Sequence, residues 1–177
     1  MKTLVHEDHN LLSEPCIPFS RLAPPIDAMQ LHDELLESMH HFGGVGLSSN
    51  QIGYKYKVFS MIHDDKDMVL YNPEIIEESE EMVIESEGCL SYPGLFVKMS
   101  RPKSVSASWE NADGQSFSGY FSDLSARIFL HEMDHMDGID FTSRAKKMHL
   151  DIAKRKVKRA KLKLKRAHGK DMLAQAS

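Results

Sequence analysis

The pentapeptide His131-Glu132-Met133-Asp134-His135 constrains the fold around it more tightly than any other stretch of the chain. On an α-helix, residues four apart share a face, so both imidazoles can converge on one ion. Glu132 then points about 100° around the helix from His131, within reach of a metal-bound water without binding the metal itself. The neighbouring Ile128, Phe129 and Leu130 mark the helix as packed rather than solvated. A buried histidine pair needs partners for its ring nitrogens, and one metal ion serves both. A chance match on a surface helix is the alternative.

Catalytic metal sites usually take three protein ligands and keep one position open, so a third donor has to come from elsewhere. Cys89, in Glu87-Gly88-Cys89-Leu90-Ser91-Tyr92-Pro93-Gly94, is the candidate, and its thiolate completes a Cys/His/His set. Gly88 and Gly94 permit the sharp backbone path needed to aim a sulfur inward. A cysteine after glycine also serves as a small packing residue. A zinc endopeptidase on the same helix motif would take a His, Glu or Asp instead and dispense with Cys89. The third segment is Gly44-Val45-Gly46-Leu47-Ser48-Ser49-Asn50-Gln51-Ile52-Gly53. Its glycine spacing, the absence of Lys-Ser/Thr and the absence of a preceding strand exclude a phosphate loop and a dinucleotide fingerprint. It reads either as a helix C-cap and turn, or as a loop lining a cleft with the Gln51 amide as a donor.

The remaining pattern predicts an α+β class. Apolar positions at three- and four-residue steps predict a first helix over 26–42, preceded by Pro24-Pro25 and ended by Gly43-Gly44. After the glycine-rich turn, β-like runs fall at 56–62, 68–71, 75–76, 82–84, 95–97 and 104–109. A hairpin over Asn111-Ala112-Asp113-Gly114 leads to another at 115–121. A second helix starts near the N-cap Ser122 and carries both histidines to Asp137-Gly138. A last helix covers about 146–166. The expected architecture is mostly antiparallel β-sheets around a central helix carrying the His-Glu-x-x-His motif, with N- and C-terminal helices.

In this order the three segments closely resemble the signature motifs of peptide deformylases: G-x-G-L-A-A-x-Q, E-G-C-L-S and H-E-x-D-H. The resemblance spans most of residues 1–142. It implies that Cys89, His131 and His135 hold one divalent metal, with water or hydroxide in the fourth position. It implies Glu132 as general acid/base, with the Gln51 side chain and the Leu90 backbone N–H stabilising the oxyanion. The implied substrate is the N-formyl-methionine end of nascent polypeptides. Ferrous iron is the implied physiological ion, although the donor set also accepts Zn2+, Ni2+ or Co2+. For the methionine slot, Leu124 and Ile128 are candidate walls, and Val45-Gly46 and Tyr92-Pro93 are candidate backbone partners for the peptide. The chain departs from the pattern at Ser48-Ser49, where Ala-Ala is usual, and at Leu130 and Met136, where Gln and Leu are common. Each buried hydroxyl needs a partner or costs about 1–3 kcal/mol.

With 41% hydrophobic and 27% charged residues, the composition is that of an ordinary globular chain. No run reaches the roughly 18 apolar residues of a membrane span. Charge begins too early at the N-terminus for a secretory signal, so a cytoplasmic monomer is expected. The two cysteines, Cys16 and Cys89, are too few for a disulfide framework, and Cys16 reads as a packing residue. Charge is unevenly divided. Residues 1–143 hold 9 Lys and Arg against 24 Asp and Glu, a balance of −15. Residues 144–177 hold 13 against 2, a balance of +11. The expected division is a metallohydrolase domain over 1–145 and a basic helix or tail over 146–177. That tail either packs Ile152, Val157 and Leu164 on the domain under a solvated basic face, pairs with the acidic body, or contacts a polyanion such as ribosomal RNA. A non-enzymatic nucleic-acid-binding protein working through this tail is the reading from a different class.

Overall fold

Asp27 starts the first helix: its side chain accepts the Gln30 backbone N–H at 2.9 Å and satisfies one of the free donors of the opening turn. Helix α1 (Ala28–His41) buries Leu31, Leu35, Ser38 and Met39, one face at three- and four-residue spacing. Gly43, at φ 67°, supplies the left-handed residue that ends it. The computed structural model describes residues 2–174, and side chains as far as Leu164.

The glycine-rich stretch that follows is more regular than its composition suggests. Gly46–Ser48 forms a short strand, β1, and Ser49–Ile52 a 3-10 turn. Pairing with β2 (Val58–His63) stabilises β1 where local propensity does not. The runs at 68–71 and 75–76 belong to one strand, β3 (Lys66–Glu78). Its register shifts between Tyr71 and Glu74, around Asn72 at φ 48° and Pro73, which lacks the N–H for a ladder bond. A two-stranded sheet pairs β4 (Met82–Gly88) with β5 (Phe96–Pro102). Strands β6 (Ser104–Glu110) and β7 (Ser116–Ser122) form the expected hairpin, with Gly114 at φ 82° in its turn. The larger sheet is antiparallel in the order β1-β2-β3-β6-β7.

Helix α2 (Asp123–Met136) is buried continuously from Ala126 to Met136. A helix enclosed on all sides has no solvent face on which to place His131, Glu132, Asp134 and His135, so each polar group must find a partner inside. Ser122 holds the N-cap position, but its hydroxyl makes no capping bond. The α+β architecture follows as expected, with antiparallel sheets around the central motif-bearing helix.

Helix α3 (Lys147–Ala174) runs past the expected end. Its packed residues are not those expected. Ile152 and Leu164 are 41% and 66% exposed, whereas Ala153 is 4% exposed and joins Leu150 against Val97, Met99 and Phe141. Val157 is half-buried. The lysine and arginine part of the tail at 165 and 166 lies outside the described side chains.

Candidate metal centre

Three donors from two elements meet at one point. The turn after β4 carries Cys89, and α2 carries His131 and His135 one helical turn apart on its inner face. The sulfur and one ring nitrogen from each histidine all lie within 4.8 Å of one another, and His135 Nε2 is 3.3 Å from Cys89 Sγ. Cys89 is 9% exposed, His131 7% and His135 3%. The two imidazoles differ electrostatically. Burial works against charging His131, but hydrogen bonds to Cys89 and Glu87 and the Glu132 charge outweigh it and raise its pKa to about 10. Burial and the positive charges of His131 and Arg101 push His135 well below its usual value, so it is a neutral imidazole. As ligands they would be one thiolate and two neutral rings. That soft and borderline donor set suits a divalent transition ion and leaves coordination positions open.

Glu132 sits beside the donors, 3% exposed, and burial raises its pKa above the ordinary carboxylate value. The His131 charge and a hydrogen bond donated by Ser48 at 2.6 Å partly offset that rise. Gln51 is 1% exposed. Its Oε1 accepts the Ser48 backbone N–H at 2.9 Å, which directs Nε2 to Ser91 Oγ at 3.2 Å and Cys89 Sγ at 3.4 Å. Leu90 is half-buried between them, its side chain against Gly44.

A cleft of about 560 Å³ opens onto these groups, lined by Gly46, Gln51, Cys89, His131 and Glu132, among others. All the substrate-side candidates line it, Val45, Gly46, Tyr92, Pro93, Leu124 and Ile128, and so does Leu90. They do so in different ways. The Val45 carbonyl accepts the Ile62 N–H at 2.9 Å and is committed to β2. By the alternation of an antiparallel ladder, the N–H and C=O of Gly46 point the other way, off the open edge of β1. A Cβ on Gly46 would lie 2.5 Å from Glu132 Oε1 and 2.8 Å from Ile128 Cγ2, so only glycine allows this approach. Leu124 is 60% exposed at the rim, whereas Ile128 is 6% exposed and also part of the core. Tyr92 packs its ring on Phe141, with centroids 5.2 Å apart.

Behind the donors lies an ionic cluster that the motif reading left without a role. Glu87 accepts from Arg101 through both oxygens at 2.9 Å, from Arg127 at 2.6 Å, and pairs with His131 Nδ1 at 3.2 Å. Asp134 accepts from Arg101 at 2.7 Å and from Arg144 at 2.6 Å. The Glu87 contact fixes which His131 nitrogen faces the cleft. One sequence signal was available: Arg127 stands four residues before His131, on the same face of the helix.

A model of the polypeptide deformylase family matches residues 1–151. The peptide deformylase of Thermotoga neapolitana is 36% identical over 130 residues, 69% of this chain and 79% of that protein. The peptide deformylase of Bartonella tribocorum is 36% identical over 169 residues, 90% of this chain and 92% of the relative. The crystal structure of a peptide deformylase from Synechococcus elongatus in complex with actinonin has a TM-score of 0.81 at 28% identity, covering 88% of this chain and 85% of that one.

Proposed function

The chain belongs to the polypeptide deformylase family, metal-dependent hydrolases that remove the formyl group from new polypeptides, and we propose how its residues divide that work. Cys89, His131 and His135 hold the ion. When bound, it supplies Lewis-acid polarisation of the formyl carbonyl and acidifies water. The rest is done by the chain. Gly46 receives the peptide as a strand on the open edge of β1, with Tyr92 and the turn after Cys89 on the opposite wall. Ile128, with Leu124 at the rim, accepts the methionine side chain. Glu132 takes the proton from water during attack on the formyl carbon and returns it to the departing amine, giving formate and a free amino terminus. Gln51 Nε2 and the Leu90 backbone N–H donate to the oxygen on which negative charge develops.

The observation that carries this reading is the convergence of a thiol and two imidazoles within 4.8 Å, with Cys89 and His131 lining the same cleft as Glu132 and Gln51. A cysteine in the donor set argues against an endopeptidase, and buried donors beside a raised-pKa carboxyl argue against a purely nucleic-acid-binding role. Ferrous iron is our proposal for the cellular ion, from the family resemblance. We further propose a cytoplasmic monomer, a catalytic domain over 1–145, and a basic segment over 146–177 that contacts ribosomal RNA. No helix among the described residues is long and apolar enough to cross a membrane.

The test is formate release from a short formyl-Met peptide by anaerobically purified, iron-loaded protein beside Glu132→Gln prepared identically. The variant is expected to retain its metal and to lose about 10²–10⁴-fold in kcat. Release by the variant at the parent rate would remove Glu132 from the mechanism.

A further inference from the structure

Ser48 is fully buried at the end of β1, between the two polar groups assigned to proton transfer and oxyanion binding. Its backbone N–H donates to Gln51 Oε1 at 2.9 Å, and its hydroxyl donates to Glu132 Oε2 at 2.6 Å. The backbone contact is available to any residue except proline. The hydroxyl contact is this chain's own, since the motif it resembles has alanine here. Ser49 differs: its hydroxyl donates to the Tyr56 carbonyl at 2.5 Å, away from the cleft, and ties the 3-10 turn to the segment ahead of β2.

We infer that Ser48 is a positioning residue for Glu132, fixing Oε2 as an acceptor and leaving Oε1 as the oxygen that takes and returns the proton. Oε1 lies over the face of Gly46, where an added Cβ would approach it to 2.5 Å, and both residues line the cleft. A carboxylate free to turn about its terminal torsion exchanges its two oxygens and scatters the proton-transfer distance. With one oxygen bound to a buried hydroxyl, that rotation is restrained. The inference rests on the reading of Glu132 as the proton carrier.

The experiment compares Ser48→Ala, Ser48→Cys and Ser48→Thr with the parent and with Glu132→Gln, all metal-loaded, on a formyl-Met tripeptide. Alanine removes the donor, cysteine nearly preserves shape with a weak donor, and threonine keeps the hydroxyl. The expected result is a kcat about tenfold lower in the Ala and Cys variants, with KM and metal content unchanged. Threonine is expected to restore kcat per metal-loaded molecule. A parent-like kcat in Ser48→Ala, or a change confined to KM, overturns the inference while silence of Glu132→Gln leaves the broader reading intact. Activity in Glu132→Gln overturns the broader reading first.

Discussion

Glu87 is 5% exposed and accepts hydrogen bonds from two guanidiniums while pairing with the outer nitrogen of His131. Burial alone would raise its pKa, but the hydrogen bonds from His131 and Arg101 lower it to about 2. Glu87→Gln removes the charge and leaves Arg101 and Arg127 buried with only Asp134 and exposed Glu85 opposite. Breaking a buried ion network on one side costs about 3–5 kcal/mol. Freeing the outer nitrogen of a metal ligand costs about 10–100-fold in metal affinity. Denaturant unfolding and competition with a chelator are expected to show both losses, and retention of parent metal affinity would reduce Glu87 to a stability role. The grouping of Cys89, His131 and His135 with Glu132 and Gln51 was legible in the sequence because each sits inside a short motif with its own chemical logic. Arg101 was not, because its link to Glu87 depends on how β4 and β5 pair. The Ser48 hydroxyl was visible as an oddity, yet its partner lies 84 residues away. Contacts made only in three dimensions leave no local signature.

The turn that presents Gln51 is held to α1 by side chains rather than by sheet pairing. The Tyr54 hydroxyl donates to Glu34 Oε2 at 2.7 Å, Gln30 donates to Oε1 at 2.9 Å, and Lys2 lies 3.8 Å from the same carboxylate. Burial pushes the Glu34 pKa up, but these partners outweigh it and the net shift is downward from 4.5. Folding therefore favours the ionised form. Its contribution is complete above about pH 4.5 and declines as pH falls through the lower folded value. Tyr54→Phe is expected to cost about 1 kcal/mol at neutral pH. The difference from the parent should narrow as Glu34 protonates, because the neutral carboxyl is the weaker acceptor. Unfolding curves at several pH values check this, and a gap constant from pH 7 to pH 3 would exclude Glu34 as the partner that matters. The helices and most strands were readable from periodicity and punctuation. Two departures share one cause. β1 sits in a glycine-rich stretch that advertises no strand, and β3 continues across Asn72-Pro73, where the sequence reads as a break between two runs. Both depend on neighbours already in place: β2 for the first, β2 and β6 for the second.

Charge divides the whole molecule into an acidic body and a basic final helix, and the way that helix docks sets which basic residues stay free. Ala153 and Leu150 anchor its first turns beside Val97, Met99 and Phe141, in the cluster that also contains Cys89. Removing the helix from 153 onward would thus strip packing from behind a metal donor, and truncation confuses two effects. Substitution separates them. Lys154, Lys158 and Lys161 flank a cavity shared with Glu7, Asp8 and Asp140, so the acidic body already partly balances them. Lys156, Arg159 and Lys163 share the opposite flank by helical spacing and are exposed, and among the described residues none forms an ion pair. If this flank meets ribosomal phosphates, replacing all three with Gln weakens binding to purified ribosomes. It also reduces the slope of log affinity against log salt by about 2 to 3, as fewer counterions are released. Turnover of a short formyl-Met peptide stays at the parent value, because no substituted residue lines the catalytic cleft. Equal ribosome affinity and an equal salt slope for the two proteins at low salt would assign the charge of this helix to solubility and to balance against the body.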